Sequence, residues 1–372
     1  MINNISVPKY IHEIEPYQGG RPIKEVAREL NLDESKIIKL ASNENPIGIS
    51  PLAKEAVLNA MDDAERYPDG NGFYLKQKIA STFKLDERQI ILGNGSNDIL
   101  ELVARTFLTS GDEAIYSEHA FAVYPLVVKA VGANGIEVQA KNYAHDLEGF
   151  LKNINVKTKI IFIANPNNPT GTLIEKSTLR EFLSHVPKHV IVVLDEAYDE
   201  YLSDNDKSEA FSWLKEFHNL IISRSFSKAY GLAGLRVGYG VGHSSIIELM
   251  NRIRQPFNVN HLAQIAAIAS LDDHEFIKLS QKINNEGMTQ IINGFNELGF
   301  NYIESYGNFI SFKLKDESVA MMYYHELLKN GVIVRPIANY KLPHFLRVSI
   351  GLENENKIFL ETLRKISEIE TV

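Results

Sequence analysis

The sequence predicts an α/β fold, a mostly parallel sheet flanked by helices, joined to a smaller α+β body. Three observations carry this. Apolar β-branched runs alternate with amphipathic stretches from about residue 88 to residue 240. Several of those runs, among them Ile160-Ile161-Phe162-Ile163 and Val190-Ile191-Val192-Val193-Leu194, are continuously apolar, as strands buried on both faces require. Beyond Gly240 the alternation gives way to long helical stretches and then to short strands set among helices.

Taken in order, residues 89–92, 113–117, 137–140, 159–164, 190–194, 220–223 and 235–239 read as the strands of the large sheet. A helix is expected over 245–254, then Pro256, then one long helical stretch over 261–297 that connects two bodies. The final third offers strands at 309–313, 332–335 and 345–350. The expected organisation is an N-terminal arm (1–45) packing with the small domain, a large domain (46–255), a connecting helix (256–285) and a small C-terminal α+β domain (286–372). Ligands of such sheets sit beyond the carboxyl ends of the strands, so the residues just after each run are where chemistry is sought.

Composition excludes several classes of function. The 372 residues are 44% hydrophobic and 23% charged, the balance of a globular protein. A net charge of -8, without a long basic run, gives no footprint for nucleic acid. There is no cysteine, hence no disulfide and no thiolate metal site. The first ten residues lack a signal-peptide pattern and no apolar run approaches the roughly 20 residues that span a bilayer. A cytoplasmic protein, with no membrane and no metal, is the expectation.

Four segments carry the chemistry. Leu220-Ile221-Ile222-Ser223-Arg224-Ser225-Phe226-Ser227-Lys228 sets a lysine in a small-residue turn after a buried strand, with Arg236 eight residues on. Alone, Lys228 reads as one more solvated surface lysine. Asn165-Pro166-Asn167-Asn168-Pro169-Thr170-Gly171 follows one strand and Asp195-Glu196-Ala197-Tyr198 follows another. Alone, the first is a proline loop and the second a capped helix start. Finally, Gly93-Asn94-Gly95-Ser96-Asn97 leads from a strand into a helix, a turn whose free N–H groups suit a phosphate. It lacks the Gly-x-Gly-x-x-Gly and Gly-Lys-Ser/Thr spacings, so it supports neither a dinucleotide fold nor a P-loop.

Together and in this order, these segments resemble the fold-type I pyridoxal-5'-phosphate (PLP) dependent aminotransferases. The resemblance implies that Lys228 condenses with the PLP aldehyde and later shuttles the substrate proton. It implies that Asp195 pairs with the pyridine nitrogen, that Asn168 and Tyr198 hydrogen-bond the ring 3'-oxygen, and that Phe121 stacks on the ring. Ser225, Arg236 and the amides of Gly95, Ser96 and Asn97 would hold the phosphate. Tyr67, which by itself is only a loop tyrosine before Pro68, would reach that phosphate from a partner subunit, which implies a homodimer.

Within that family, Tyr17-Gln18-Gly19-Gly20-Arg21-Pro22 and Leu40-Ala41-Ser42-Asn43-Glu44-Asn45-Pro46 resemble the histidinol-phosphate aminotransferases, a branch of the class II PLP-dependent aminotransferases. Gly19-Gly20 stands where that branch has proline and glycine. The implied substrate contacts are Tyr17, Asn43, Arg335 and Arg347. By themselves the two arginines read equally well as strand residues with heads in solvent or in ion pairs. The implied reaction is ping-pong interconversion of histidinol phosphate and 2-oxoglutarate with imidazole-acetol phosphate and L-glutamate, in histidine biosynthesis. Aromatic amino-acid aminotransferase and threonine-phosphate decarboxylase are the rival enzymes. A PLP-binding transcriptional regulator is disfavoured, because the arm ahead of Tyr17 is expected to be too short for a DNA-binding domain.

Overall fold

The computed structural model describes residues 6–370, so the first five residues of the 1–45 arm and the last two of the 286–372 segment lie outside the described residues. Seven strands form the large sheet in the spatial order Ile90–Gly93, Gly238–Gly242, Leu220–Ser225, Ile191–Asp195, Thr158–Ala164, Glu113–Ser117, Asn134–Val138. All neighbours run parallel except at Gly238–Gly242, which is antiparallel to both of its own. Period-2 alternation fills both faces. Ile161, Ile163, Val192, Leu194 and Ile222 enter one core, and Ile160, Phe162, Ile191, Val193 and Ile221 the other.

Three expected strands are displaced. The run at 235–239 forms a strand only from Gly238, because Ala233–Leu235 is a 3₁₀ turn and Arg236 is left-handed at φ 59°. The strand is built on glycines because helix Ser96–Phe107 lies against it. A Cβ on Gly238 would come within 2.6 Å of the Ser96 nitrogen, and one on Gly240 within 2.9 Å of Ile99. The strand expected at 137–140 is the edge strand Asn134–Val138, largely exposed and so without a strong apolar signal.

The third, expected at 332–335, is split between two sheets. Val332–Ile333 pairs in parallel with Ile38–Lys39 of the arm, and Arg335–Pro336 pairs antiparallel with Phe345–Ser349. The latter belongs to a four-stranded sheet with Phe309–Lys313 and Asn301–Ile303. The single stretch at 261–297 is two helices, His261–Asp272 and His274–Leu298, parted by Asp273, whose carboxylate caps the second by accepting from the Phe276 N–H. The second helix serves both bodies, with Ile277 against the large core and Ile291 and Phe295 inside the small one. Val26, Leu40 and Ala41 of the arm are buried in that same small core.

Candidate functional site

The carboxyl ends of the parallel strands open into a cavity of about 260 Å³ closed on its far side by the arm and the small sheet. Asp195 ends its strand on the cavity wall. One carboxylate oxygen accepts from the Tyr124 hydroxyl at 3.0 Å, whereas Oδ1 is buried without any partner. Burial pushes this carboxyl up to about 6, against the opposing pull of the Tyr124 hydrogen bond and of Lys228. Behind it, the Arg224 guanidinium donates to Glu196 at 2.9 Å and to Asp199 at 2.6 Å, and the Glu196 N–H donates to the Ser223 carbonyl at 2.9 Å. The segment carrying Asp195 and Tyr198 is thereby fixed to the strand that leads to Lys228.

Lys228 is half-buried, its ammonium 3.3 Å from the Ser42 carbonyl and 5.7 Å from the centre of the Tyr198 ring. Burial, followed by the charges of Arg347 and Arg236, lowers it to about 8, although Glu44 and Asp195 pull the other way. A lysine in this setting spends part of its time as a neutral amine at physiological pH.

At one end of the cavity Ser96, Asn97, Ser225 and Arg236 converge. Arg236 donates to the Ser227 hydroxyl at 3.3 Å and to the Ala233 carbonyl at 3.1 Å. Gly95, at φ 82°, caps the helix from Ser96, and a Cβ there would collide with the Arg236 guanidinium. A cation therefore lies over a helix N-terminus, which makes a cradle for a dianion.

At the other end, Arg335 and Arg347 are register partners on adjacent antiparallel strands and are both buried. Among the described residues neither forms an ion pair. Arg335 donates to the Gln18 carbonyl and lies 6.0 Å from the Tyr17 ring. Arg347 donates to the Asn168 side-chain oxygen and, at 3.0 Å, to the Ala41 carbonyl, while its Nε is buried without a partner. Two adjacent buried guanidiniums served only by neutral oxygens make a site that an anion completes.

The family model described as aminotransferase class I and II matches residues 35–363. The chain belongs to this family. It is 58% identical over 98% of both chains to a histidinol-phosphate aminotransferase of Methylobacillus flagellatus, and 50% identical over 96% of both to one of Idiomarina loihiensis. Among solved structures it resembles the histidinol-phosphate aminotransferase of Sinorhizobium meliloti in complex with pyridoxal-5'-phosphate, at TM-score 0.90, 25% identity and 97% coverage of each chain. The Thermus thermophilus aspartate aminotransferase with maleate shares the fold, at TM-score 0.82 and 20% identity over 97% of this chain and all of that one. The chain has the fold-type I architecture and PLP is the cofactor of this aminotransferase.

The residues present fit PLP. The partnerless Asp195 Oδ1 suits a protonated ring nitrogen, and such a cation would restore the ionisation that burial opposes. The Gly95–Arg236 cradle suits the phosphate and Lys228 the aldehyde. Of the residues singled out from sequence, Tyr17, Asn43, Ser96, Asn97, Phe121, Asn168, Asp195, Tyr198, Ser225, Lys228, Arg236, Arg335 and Arg347 all line the cavity of this aminotransferase. Gly95 lies just behind it. Tyr67 is not brought in: it is 83% exposed and stacked 4.8 Å from Phe257. Asn43 lines the wall, but its amide is engaged by Tyr198 and Ser349. Sequence reasoning missed Tyr124, Ser227 and Ser349. Tyr124 falls three residues after Phe121, a spacing that a core tyrosine shows equally often.

Proposed function

We propose that the chain transfers the amino group of histidinol phosphate to 2-oxoglutarate, giving imidazole-acetol phosphate and L-glutamate, in the cytoplasm and in histidine biosynthesis. The observation that carries this is the pair of buried guanidiniums, Arg335 and Arg347, that face the cavity without a carboxylate between them. Chains 50–58% identical to it bear the name of this activity.

PLP, when bound, supplies the aldehyde that takes up the amino group and the ring that withdraws electrons from the substrate carbon. Asp195 would keep the ring nitrogen protonated through Oδ1. Ser96, Asn97, Ser225 and Arg236 would hold the phosphate, and Phe121 would lie against the ring. Asn168 receives its hydrogen bond from Arg347 on the side-chain oxygen, so its NH₂ is the group left to donate to the cofactor 3'-oxygen. Lys228 would anchor the cofactor aldehyde and, as a free base once the substrate amine is bound, would move the proton of the substrate carbon.

Arg335, Arg347 and Tyr17 bind the phosphate of histidinol phosphate in one half-reaction, and Arg347 a carboxylate of 2-oxoglutarate in the other. One site serving two substrates in turn gives parallel double-reciprocal lines, and intersecting lines would count against it. Tyr67, exposed and outside its own cavity, reaches the phosphate of a second subunit in a homodimer. The deciding experiment is a stopped-flow half-reaction of the PLP enzyme with histidinol phosphate, phenylalanine and threonine phosphate in parallel. Conversion to the amine form should be fastest with histidinol phosphate. Rapid conversion with phenylalanine and none with histidinol phosphate would overturn the substrate and leave the family intact.

A further inference from the structure

Asn43 and Ser349 lie 306 positions apart and make two hydrogen bonds to each other in opposite senses. The backbone N–H of Asn43 donates to the Ser349 hydroxyl at 2.8 Å, and that hydroxyl donates to the side-chain oxygen of Asn43 at 3.0 Å. A serine hydroxyl has one hydrogen. The Asn43 amide orientation that satisfies all of these groups is the one with Oδ1 toward Ser349, because the reverse orientation would make the buried hydroxyl accept twice and leave its hydrogen without an acceptor among the described residues. Its NH₂ must face the other way, and there it donates to the Tyr198 hydroxyl at 3.0 Å.

Tyr198 therefore receives a hydrogen bond from the protein, and among the described residues no protein acceptor takes its own hydrogen. Asn43, Tyr198 and Ser349 are each at most 3% exposed, so no bulk water competes for these bonds. Burial drives the Tyr198 hydroxyl up to about 12, with Arg347 and then the Asn43 amide opposing it, so the group keeps its hydrogen at neutral pH.

We infer that Ser349 and Asn43 are positioning residues, a two-step relay that forces Tyr198 to act as a hydrogen-bond donor toward the cavity and never as an acceptor. This rests on PLP being held at Lys228 as proposed above. The consequence lies at the cofactor 3'-oxygen, where a donor stabilises negative charge and an acceptor opposes it. Ser349 stands two residues after Arg347 on the Phe345–Ser349 strand, so both project from the same face. The strand that receives the substrate anion also sets the polarity of the tyrosine at the cofactor.

The test is the pH midpoint of the visible absorption of the Lys228-linked cofactor, followed in the PLP-loaded enzyme. A donor on the 3'-oxygen favours the form that has lost its proton, so removing it moves the midpoint up. Tyr198→Phe should raise it by about one pH unit, tenfold in proton affinity, and Ser349→Ala by about half a unit, threefold. Ser349→Thr, which keeps the hydroxyl, should return it to the parent value. In the Tyr198→Phe background Ser349→Ala should add nothing, an outcome that loosened packing would not produce.

Should Ser349→Ala fail to fold, Ser349→Cys, whose thiol is a weak donor, should move the midpoint in the same direction by less. A midpoint unmoved by Ser349→Ala, or moved equally with Tyr198 present and absent, overturns the relay. An internal imine absorption, distinct from that of the PLP aldehyde, that survives Lys228→Ala instead overturns the cofactor anchor, and the relay with it.

Discussion

Two walls of the cavity solve opposite electrostatic problems. The wall at Asp195 and Lys228 holds an acid and a base whose proton affinities burial has brought towards each other, to about 6 and about 8. The wall at Arg335 and Arg347 gathers like charges and leaves them without a counterion among the described residues. The first arrangement is chemically poised, because small changes move a proton. The second is a standing demand for an anion. The two are not independent, since Arg347 is the largest charge acting on Lys228. Satisfying the demand at one wall therefore alters the base at the other.

That contrast can be broken most severely at Lys228. Lys228→Ala should lower the half-reaction rate with histidinol phosphate by at least about 10⁴-fold, since anchor and proton carrier are lost together. A stopped-flow trace would measure it. Next is Arg347→Ala, expected to cost about 10²-fold or more in kcat/KM for both substrates, the order found when one partner of a buried charged contact is removed. Arg347→Lys should recover little of it, because an ammonium cannot reproduce the fork shared between Asn168 and Ala41.

At Asp195 the effects on function and stability should have opposite signs. Its carboxyl binds protons more tightly folded than unfolded, so the cofactor-free protein loses stability as pH rises from about 4 through 6. Asp195→Asn should remove that loss, stabilising the cofactor-free protein at pH 7 by up to about 3 kcal/mol and so raising its thermal midpoint, while abolishing turnover of the loaded enzyme. Melting curves at pH 4 and pH 7 check this, and equal gains at both would refute it. The smallest effect joins the two walls. The rate at which cofactor-free protein captures PLP should rise with pH through about 8, as Lys228 loses its proton. Arg347→Gln should shift that rise to higher pH, because a neighbouring positive charge is gone.

The cofactor wall was legible in the sequence because its residues follow buried parallel strands, and both the strands and the turns after them leave local patterns. Asp195 after Val190-Ile191-Val192-Val193-Leu194 is such a case. The strand Gly238–Gly242 was harder to place, since glycines chosen for close packing against helix Ser96–Phe107 carry no β signal. The split of Val332–Pro336 between two sheets was invisible because it depends on the arm, which supplies one of the partners. The role of Ser349 was less accessible still. A serine gives no local sign of its function when both of its bonds go to a residue near the other end of the chain.

The pairing of Ile38–Lys39 with Val332–Ile333 has a bearing on how the protein is made. The arm strand is made almost three hundred residues before its partner. All seven strands of the large sheet fall within Ile90–Gly242, so each of them has been made before the final third of the chain. The arm, with Ser42 and Asn43 on it, docks only when the final third of the chain has emerged. An unfinished chain can thus own a folded sheet and a phosphate cradle while lacking the wall that Arg347 and the arm build together. Competence waits on the later of the two segments that build this wall.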